Sequence, residues 1–132
     1  MTVFASEIQI NKPASDLFSF LENLNNHQKL MPDSGYSWSF TQDEAELEIQ
    51  NLATLSLKVS EKENPHLICI RTVSDKPVPV TIRWQINSVE TDISSVNLSI
   101  DAKLNMMMKM LVSASLEKLV EYQINKLKEI IE

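Results

Sequence analysis

The chain has 132 residues, of which 43% are hydrophobic and 23% charged, a size and balance typical of a single globular domain over residues 1–132. Its net charge of −6 at pH 7 repels phosphate backbones, so nucleic acid is not an expected partner. One cysteine and two histidines are too few for a common structural zinc site, and the single glycine excludes glycine-rich phosphate loops. We therefore expect no metal and no cofactor.

The N-terminal residues contain no basic segment followed by an apolar run, so a secretory signal is not indicated and we expect a cytoplasmic protein. No uncharged apolar run approaches the roughly 20 residues that a transmembrane helix needs. The methionine-rich segment that follows Leu104 is itself interrupted by Lys109. No transmembrane segment is therefore expected.

The first third of the chain predicts a strand followed by two short helices. Residues 2–11 are rich in Val, Ile and Phe, as strands are. Pro13 then suits the first turn of a helix, where its missing amide hydrogen costs nothing. Apolar side chains recur at helical spacing after it: Leu17, Phe18, Phe20, Leu21 and Leu24. A second short helical turn contains His27 and stops at Pro32.

After the turn at residues 33–35, the apolar pattern changes to the alternation that half-buried antiparallel strands require. Six successive segments follow, including a β-branched one over residues 67–74. Their predicted inward side chains are Tyr36, Trp38 and Phe40; Leu47 and Ile49; Leu55, Leu57 and Val59; Ile68 and Ile70; Val80, Ile82, Trp84 and Ile86; and Val96, Leu98, Ile100 and Ala102.

The segment from Met106 to the C-terminus predicts one long helix. Its apolar stripe consists of Leu116, Leu119, Val120, Leu127, Ile130 and Ile131. One strand, two short helices, six strands and this helix bury all their apolar faces only if the sheet curls around the last helix. The expected fold is therefore α+β with a helix-grip architecture, a curved antiparallel sheet of about seven strands wrapped around the C-terminal helix.

The chain resembles the START-like superfamily, also called SRPBCC, which includes Bet v 1-type allergens, polyketide cyclases and coenzyme-Q-binding proteins. The similarity lies in the opening strand, in residues 10–21 (INKPASDLFSFL) and in residues 104–127. The resemblance implies a cavity between the concave sheet and the last helix that takes apolar or amphipathic molecules such as lipids, polyketides or isoprenoids. It implies no family-wide catalytic residue. The aromatic cyclases of the superfamily use polar pocket residues, whereas the inward positions here are nearly all aliphatic or aromatic.

The candidate ligand-binding residues are the larger inward side chains together with one polar residue of the last helix. They are Tyr36, Trp38, Phe40, Leu57, Ile70, Trp84, Ile100, Leu116, Leu119, Val120 and Gln123. Gln123 falls in the middle of the apolar stripe, so its amide must meet a backbone group, a trapped water or a ligand head group. The aromatic side chains either line a pocket or fill the core.

Five methionines form a second feature that sequence alone leaves open. Met106, Met107, Met108 and Met110 cannot all face one core, and Met31 lies in the short helical segment. These methionines form a ligand gate, form a dimer contact, or pack beneath the helix of residues 25–31. The protein is accordingly expected to be a monomer or a homodimer.

The remaining polar and sulfur-containing residues have ordinary structural interpretations. His27 and His66 lie in different elements without ligand-spaced neighbours, and Cys69 is interpreted as a small apolar core residue. Alternation places the acidic group of Asp43, Glu44, Glu46 and Glu48 on the wet face of a strand and hairpin.

Three functions remain open from the sequence. The first is binding of an apolar or amphipathic small molecule without evident catalysis. The second is a cyclase-like or hydratase-like enzyme that uses Tyr36 and Gln123. The third is an interaction protein whose cavity has closed and which uses the methionines as a contact.

Overall fold

The computed structural model describes residues 2–41, 44–49, 53–74 and 78–132. Its elements follow the predicted order, with a short 3-10 turn after the second helix. They are β1 (Thr2–Ile10), α1 (Ala14–Leu21), α2 (Leu24–His27), the 3-10 turn (Gln28–Leu30), β2 (Tyr36–Phe40), β3 (Glu44–Ile49), β4 (Ala53–Glu63), β5 (Leu67–Thr72), β6 (Val80–Glu90), β7 (Ile93–Ala102) and α3 (Met106–Ile131). Among the described helices, none is long and apolar enough to cross a bilayer.

The strands form one antiparallel sheet in the order β1-β7-β6-β5-β4-β3-β2. Strands β2 to β7 are a meander, and β1 joins the free side of β7, so β1 and β2 lie at opposite edges. The pairing register shifts between Val59 and Glu61 in β4 and between Ser88 and Glu90 in β6. Such bulges bend a strand and increase its twist, which helps this sheet to curl.

The two short helices carry the chain from β1 to the opposite edge of the sheet. Pro13 is the extended residue before α1, whose buried face is formed by Ala14, Leu17, Phe18 and Leu21. The side chain of Asn23 caps α2 by accepting a hydrogen bond from the Asn25 amide at 3.0 Å. Gly35 precedes β2 with φ of 90°, a backbone conformation that glycine adopts without strain.

Helix α3 packs against β1, β7 and the 3-10 turn, as the helix-grip prediction requires. Its N-terminus is capped by the Asn105 side chain, which accepts a hydrogen bond from the Met108 amide at 2.8 Å. Its last turn is tied to the end of β1, where the Lys128 ammonium donates to the Gln9 carbonyl oxygen at 2.8 Å. The buried face comprises Val112, Leu116, Leu119, Val120, Gln123, Ile124 and Leu127.

Two positions of the α3 stripe differ from the prediction. Ile130 was expected to be buried, but it is 39% exposed. The reason is that the final turn lies beside Gln9 and Asn11, where β1 ends and the sheet no longer covers the helix. Ile124 was not expected in the stripe, but it is buried one turn after Val120.

Candidate functional site

A small cavity lies between the concave face of the sheet and the N-terminal half of α3. Its volume is about 40 Å³, and every described residue that lines it is apolar. Pockets that bind drug-sized molecules measure about 300–1,000 Å³, so this cavity is too small to hold such a molecule in the present structure. The lining residues come from β3, β4, β6, β7, α3 and the segments that precede β6 and α3: Leu47, Ile49, Ala53, Leu55, Val78, Val80, Ile82, Ile100, Ala102, Leu104, Met108, Val112, Leu116 and Leu119.

One end of the cavity is formed by side chains that are only partly buried. These are Ala53, Val78, Leu104 and Met108. Their partial exposure identifies this end as the cavity mouth, and it lies beside the first turn of α3. Two of the four, Leu104 and Met108, have long side chains with several rotatable bonds, so they are able to move without any change in the backbone.

The methionines at the start of α3 are mostly exposed. Met106, Met107 and Met110 lie on the surface, whereas Leu116 and Leu119 of the same helix are buried. Of the three alternatives that the sequence leaves open for the methionines, packing beneath the short helical segment is therefore wrong for these three. Met31 is partly buried and packs against the core, as its place in the short helical segment suggested.

Seven of the eleven sequence-predicted site residues separate into two groups. Ile100, Leu116 and Leu119 line the cavity. Leu57, Ile70, Trp84 and Val120 are buried in the hydrophobic core and do not belong to its lining. Lining residues that sequence reasoning missed, such as Val78, Leu104 and Met108, lie at element ends, where hydrophobic periodicity carries no signal for which side of a structure they face.

Trp38 and Trp84 enclose a buried histidine instead of facing the cavity. The Trp38 indole donates a hydrogen bond to the Leu24 carbonyl oxygen at 2.9 Å, which ties β2 to α2. The His27 ring stacks on Trp38 with centroids 5.6 Å apart and meets Trp84 edge-on at 6.1 Å. These aromatic side chains fill the core, which was the alternative to a pocket wall.

His27 is neutral in this environment. Burial lowers its pKa from 6.5 to about 4, and the hydrogen bond to the Leu21 carbonyl oxygen opposes this shift only in part. Nε2 lies 2.7 Å from that oxygen, which only accepts, so Nε2 carries the proton of the neutral ring. His27 is therefore a structural link between α1 and the sheet, and its role was not anticipated from the sequence.

Tyr36 joins the edge of the sheet to α3. Its hydroxyl donates a hydrogen bond to the Ser115 carbonyl oxygen at 3.0 Å. Partial burial raises the pKa of Tyr36, and this hydrogen bond lowers it by a smaller amount. The hydroxyl is thus engaged with the backbone of α3 and does not lie on the wall of the apolar cavity.

Gln123 lies on the buried face of α3, as predicted from its place on the stripe, and the residue is 5% exposed. Its amide nitrogen and oxygen both keep some contact with solvent. Within the described part of the chain, no residue forms a hydrogen bond with this amide. Gln123 lies one turn beyond Leu119, the last cavity-lining residue of α3, so it is not part of the described cavity wall.

Phe40 does not form a buried wall. It is 40% exposed, because β2 ends at the free edge of the sheet, where no helix covers its last residue. It lines an open surface groove of about 360 Å³ together with polar side chains such as Ser39 and Glu44.

The remaining polar and sulfur-containing residues keep their structural interpretations. No group of three or more His, Cys, Asp or Glu side chains in the described ranges is placed to hold a metal ion. Cys69 is fully buried and unpaired, and Glu44, Glu46 and Glu48 are exposed along β3. Asp43, the fourth member of the acidic group, lies outside the described residues.

Comparisons with known proteins identify the fold. No family model matches the chain, and no curated protein matches it in sequence. Among solved structures, a START superfamily protein from Mycobacterium smegmatis is 13% identical with a TM-score of 0.68, over 97% of this chain and 98% of that one. Norcoclaurine synthase from Thalictrum flavum, in complex with dopamine and hydroxybenzaldehyde, is 9% identical with a TM-score of 0.74, over 98% and 86%.

A third solved structure covers the chain completely. The Aha1 dimer from Colwellia psychrerythraea is 15% identical with a TM-score of 0.74, over 100% of this chain and 97% of that one. At such identities the likeness concerns the backbone arrangement, which agrees over nearly the full length with proteins of different activities. The chain therefore has the START-like, Bet v 1-like helix-grip fold that its sequence resembles.

Proposed function

We propose that the protein binds an apolar or amphipathic small molecule between the concave face of its sheet and the N-terminal half of α3. The observation that carries this proposal is that every described residue lining the cavity is apolar. Burying apolar surface stabilises a complex by about 25 cal/mol per Å², so such a wall favours a lipid-like or isoprenoid-like ligand over a polar one. The START-like fold supports the same class of ligand.

Binding requires the cavity to expand, since about 40 Å³ does not hold a ligand of this kind. The partly buried side chains of Leu104 and Met108 at the mouth are the ones that move at least cost. The cavity is built within one chain, so a monomer and a homodimer are equally able to hold the ligand. We place this protein in the cytoplasm, where its single unpaired cysteine stays reduced.

Binding is favoured over the cyclase-like or hydratase-like alternative. General acid or base catalysis needs a titratable side chain within hydrogen-bond distance of the reacting group. Each described residue that lines the cavity is apolar, and the Tyr36 hydroxyl is bonded to the backbone of α3. The proposed function is therefore storage, transport or presentation of the ligand.

The test compares two variants that make the same change on the same helix. Val112→Phe adds bulk to the cavity wall, whereas Val120→Phe adds it at a buried position outside the cavity. Native mass spectrometry and organic extraction of fresh wild-type protein test for a retained molecule. Titration with a dansyl-labelled fatty acid then compares the variants, after chemical denaturation has confirmed that both fold.

We expect Val112→Phe to weaken binding of the fatty acid by at least tenfold and Val120→Phe to leave it within about twofold, since about 1.4 kcal/mol corresponds to one decade in the dissociation constant. Equal effects of the two substitutions, or no binding by wild-type protein that also retains no extractable molecule, would show that the cavity is not a ligand site.

A further inference from the structure

Gln123 differs from the other buried polar residues in the described part of the chain. These are His27 and Ser94. The His27 ring is bonded to the Leu21 carbonyl oxygen, and the Ser94 hydroxyl donates a hydrogen bond to the Lys12 carbonyl oxygen at 2.8 Å. The amide of Gln123 has no such bond to a described residue. We propose that this amide binds an uncharged polar group of an amphipathic ligand whose hydrocarbon chain fills the cavity.

Gln123 continues the line of α3 side chains that form one wall of the cavity. That line consists of Met108, Val112, Leu116 and Leu119, and Gln123 follows the last of them by four residues. Residues at intervals of three and four share one face of a helix. At about 1.5 Å per residue, Gln123 lies about 6 Å beyond Leu119 and about 22 Å from Met108 at the mouth. It therefore stands at the inner end of the line, away from the mouth.

Helix geometry directs the side chain of Gln123 back toward the cavity. Each Cα–Cβ bond of an α-helix tilts toward the N-terminus, so a side chain covers the turn before its own Cα. For Gln123 that turn contains Leu119, which lines the cavity. A ligand that expands the cavity past Leu119 therefore reaches the amide of Gln123.

The surroundings of the amide favour an amphipathic ligand over a pure hydrocarbon. Both the nitrogen and the oxygen of the Gln123 amide keep some contact with solvent, so water is able to bond to them in the free protein. Displacing water by a group that cannot reproduce its hydrogen bonds loses affinity. A hydrocarbon beside Gln123 leaves the amide unpaired, whereas a polar ligand group replaces the bonds to water.

The same surroundings favour a polar group without charge. Within the described ranges no charged side chain is buried, and the described residues that line the cavity are apolar. A carboxylate or an ammonium group taken out of water without an opposite charge is strongly disfavoured. An amide both donates and accepts, so it pairs with a hydroxyl, carbonyl or amide group. The inner end therefore takes one of these groups, and a charged head group stays at the mouth.

Binding at Gln123 rests on the proposed function, since it requires a cavity that accepts a ligand. The test compares three ligands whose chains have the same length: tetradecane, tetradecanol and tetradecanoate, which is ionised at neutral pH. Each ligand displaces the dansyl-labelled fatty acid from wild-type protein, from Gln123→Leu and from Gln28→Leu. The last variant is the matched control, because it makes the same change at an exposed position. Chemical denaturation first confirms that both variants fold.

We expect Gln123→Leu to weaken binding of tetradecanol by at least about tenfold, because the ligand hydroxyl loses its partner. Binding of tetradecane should stay within about twofold or become tighter, since leucine adds apolar contact surface. Binding of tetradecanoate should also stay within about twofold, because its charged group lies at the mouth. Gln28→Leu should bind all three ligands as the wild type does.

Three results would overturn the role of Gln123 while the proposed function stands. One is unchanged binding of tetradecanol by Gln123→Leu, and another is an equal loss for tetradecanol and tetradecane, which would report altered packing. The third is an equal loss for tetradecanoate and tetradecanol, which would place a charged group at the inner end. Failure of the wild type to bind the dansyl-labelled fatty acid or any of the three ligands would overturn both proposals.

Discussion

His27 shows how one buried titratable side chain makes the stability of this fold depend on pH. Its neutral ring lies between Trp38 and Trp84, and among the described residues it has no acidic partner to balance a positive charge. Protonation in the folded state therefore requires an uncompensated charge in the core, which explains the lowered pKa. The hydrogen bond to Leu21 survives in the neutral form and positions the ring.

We predict that the free energy of unfolding falls as the pH is lowered from about 6.5 to about 4, the pKa values of His27 in the unfolded and folded states. As the pH falls, the unfolded state binds the proton first, so stability is lost between pH 6.5 and pH 4. Above pH 6.5 and below pH 4, His27 no longer changes the free energy of unfolding. The difference between the two pKa values corresponds to a total loss of about 3 kcal/mol of unfolding free energy. Denaturation with urea across this range measures it.

The comparison that isolates this effect is between His27→Phe and the wild type. His27→Phe keeps an aromatic ring in the core but removes the titration of His27, so the slope in this pH window should become smaller. An unchanged slope in His27→Phe would show that other groups cause the pH dependence.

Gln123 also lies on a buried face, but unlike His27 its side chain does not titrate. Since no described residue is hydrogen-bonded to its amide, Gln123→Leu strands no protein partner and replaces the amide by apolar bulk. We predict an unchanged or higher free energy of unfolding, measured by chemical denaturation. Gln28→Leu, at an exposed position, is the control for a general effect of added apolar surface. A loss of about 1–3 kcal/mol would show that a protein group depends on the amide.

At the scale of elements, the strands and the last helix were predictable because their periods are set by the backbone. Alternation places every second residue in the core along β7 and along β6 as far as Ile86, and the start of α3 at Met106 coincides with the Asn105 cap. Neither prediction needs knowledge of distant residues. The helix-grip architecture then follows, because the apolar faces of the strands and of the last helix are buried only if the sheet curls around that helix.

The errors occurred where a distant element decides the outcome. Phe40 shares a face with Trp38, but only Trp38 has α2 above it, to which its indole is bonded. Ile130 continues the periodicity of α3 beyond the end of β1. The small volume of the cavity could not be predicted either, because it depends on side-chain packing across five elements and not on any local pattern.

The exposure of the α3 methionines predicts their order of oxidation. Met106, Met107 and Met110 should be oxidised by dilute peroxide before Met108 and Met31, which are partly buried. Peptide mass spectrometry at several times measures the order within one sample, with Met108 as the internal control on the same helix. Equal rates at all five positions would contradict the difference in exposure between Met106, Met107 and Met110 and the partly buried Met108 and Met31.

The two ends of helix α3 are held to the rest of the molecule in different ways. At one end, the last turn of α3 is fixed to β1 by the bonds of Lys128 to Gln9 and of Glu132 to Asn11. At the other end, the first turns of α3 lie over a cavity and expose their outer face. A domain of this kind is able to open at one end while it stays folded at the other, which suits a cavity that must expand to accept a ligand.

This asymmetry predicts the pattern of amide hydrogen exchange along α3. Residues 106–112 should exchange faster than residues 116–127, because fewer packed side chains hold the first segment to the sheet. The fatty acid used in the binding assay should slow exchange mainly in residues 106–112, since it replaces the missing contacts there. Residues 116–127 serve as the internal reference, and their exchange should change little. Uniform protection along α3, with or without the fatty acid, would mean that the helix is held equally at both ends and that the cavity does not open beneath its first turns.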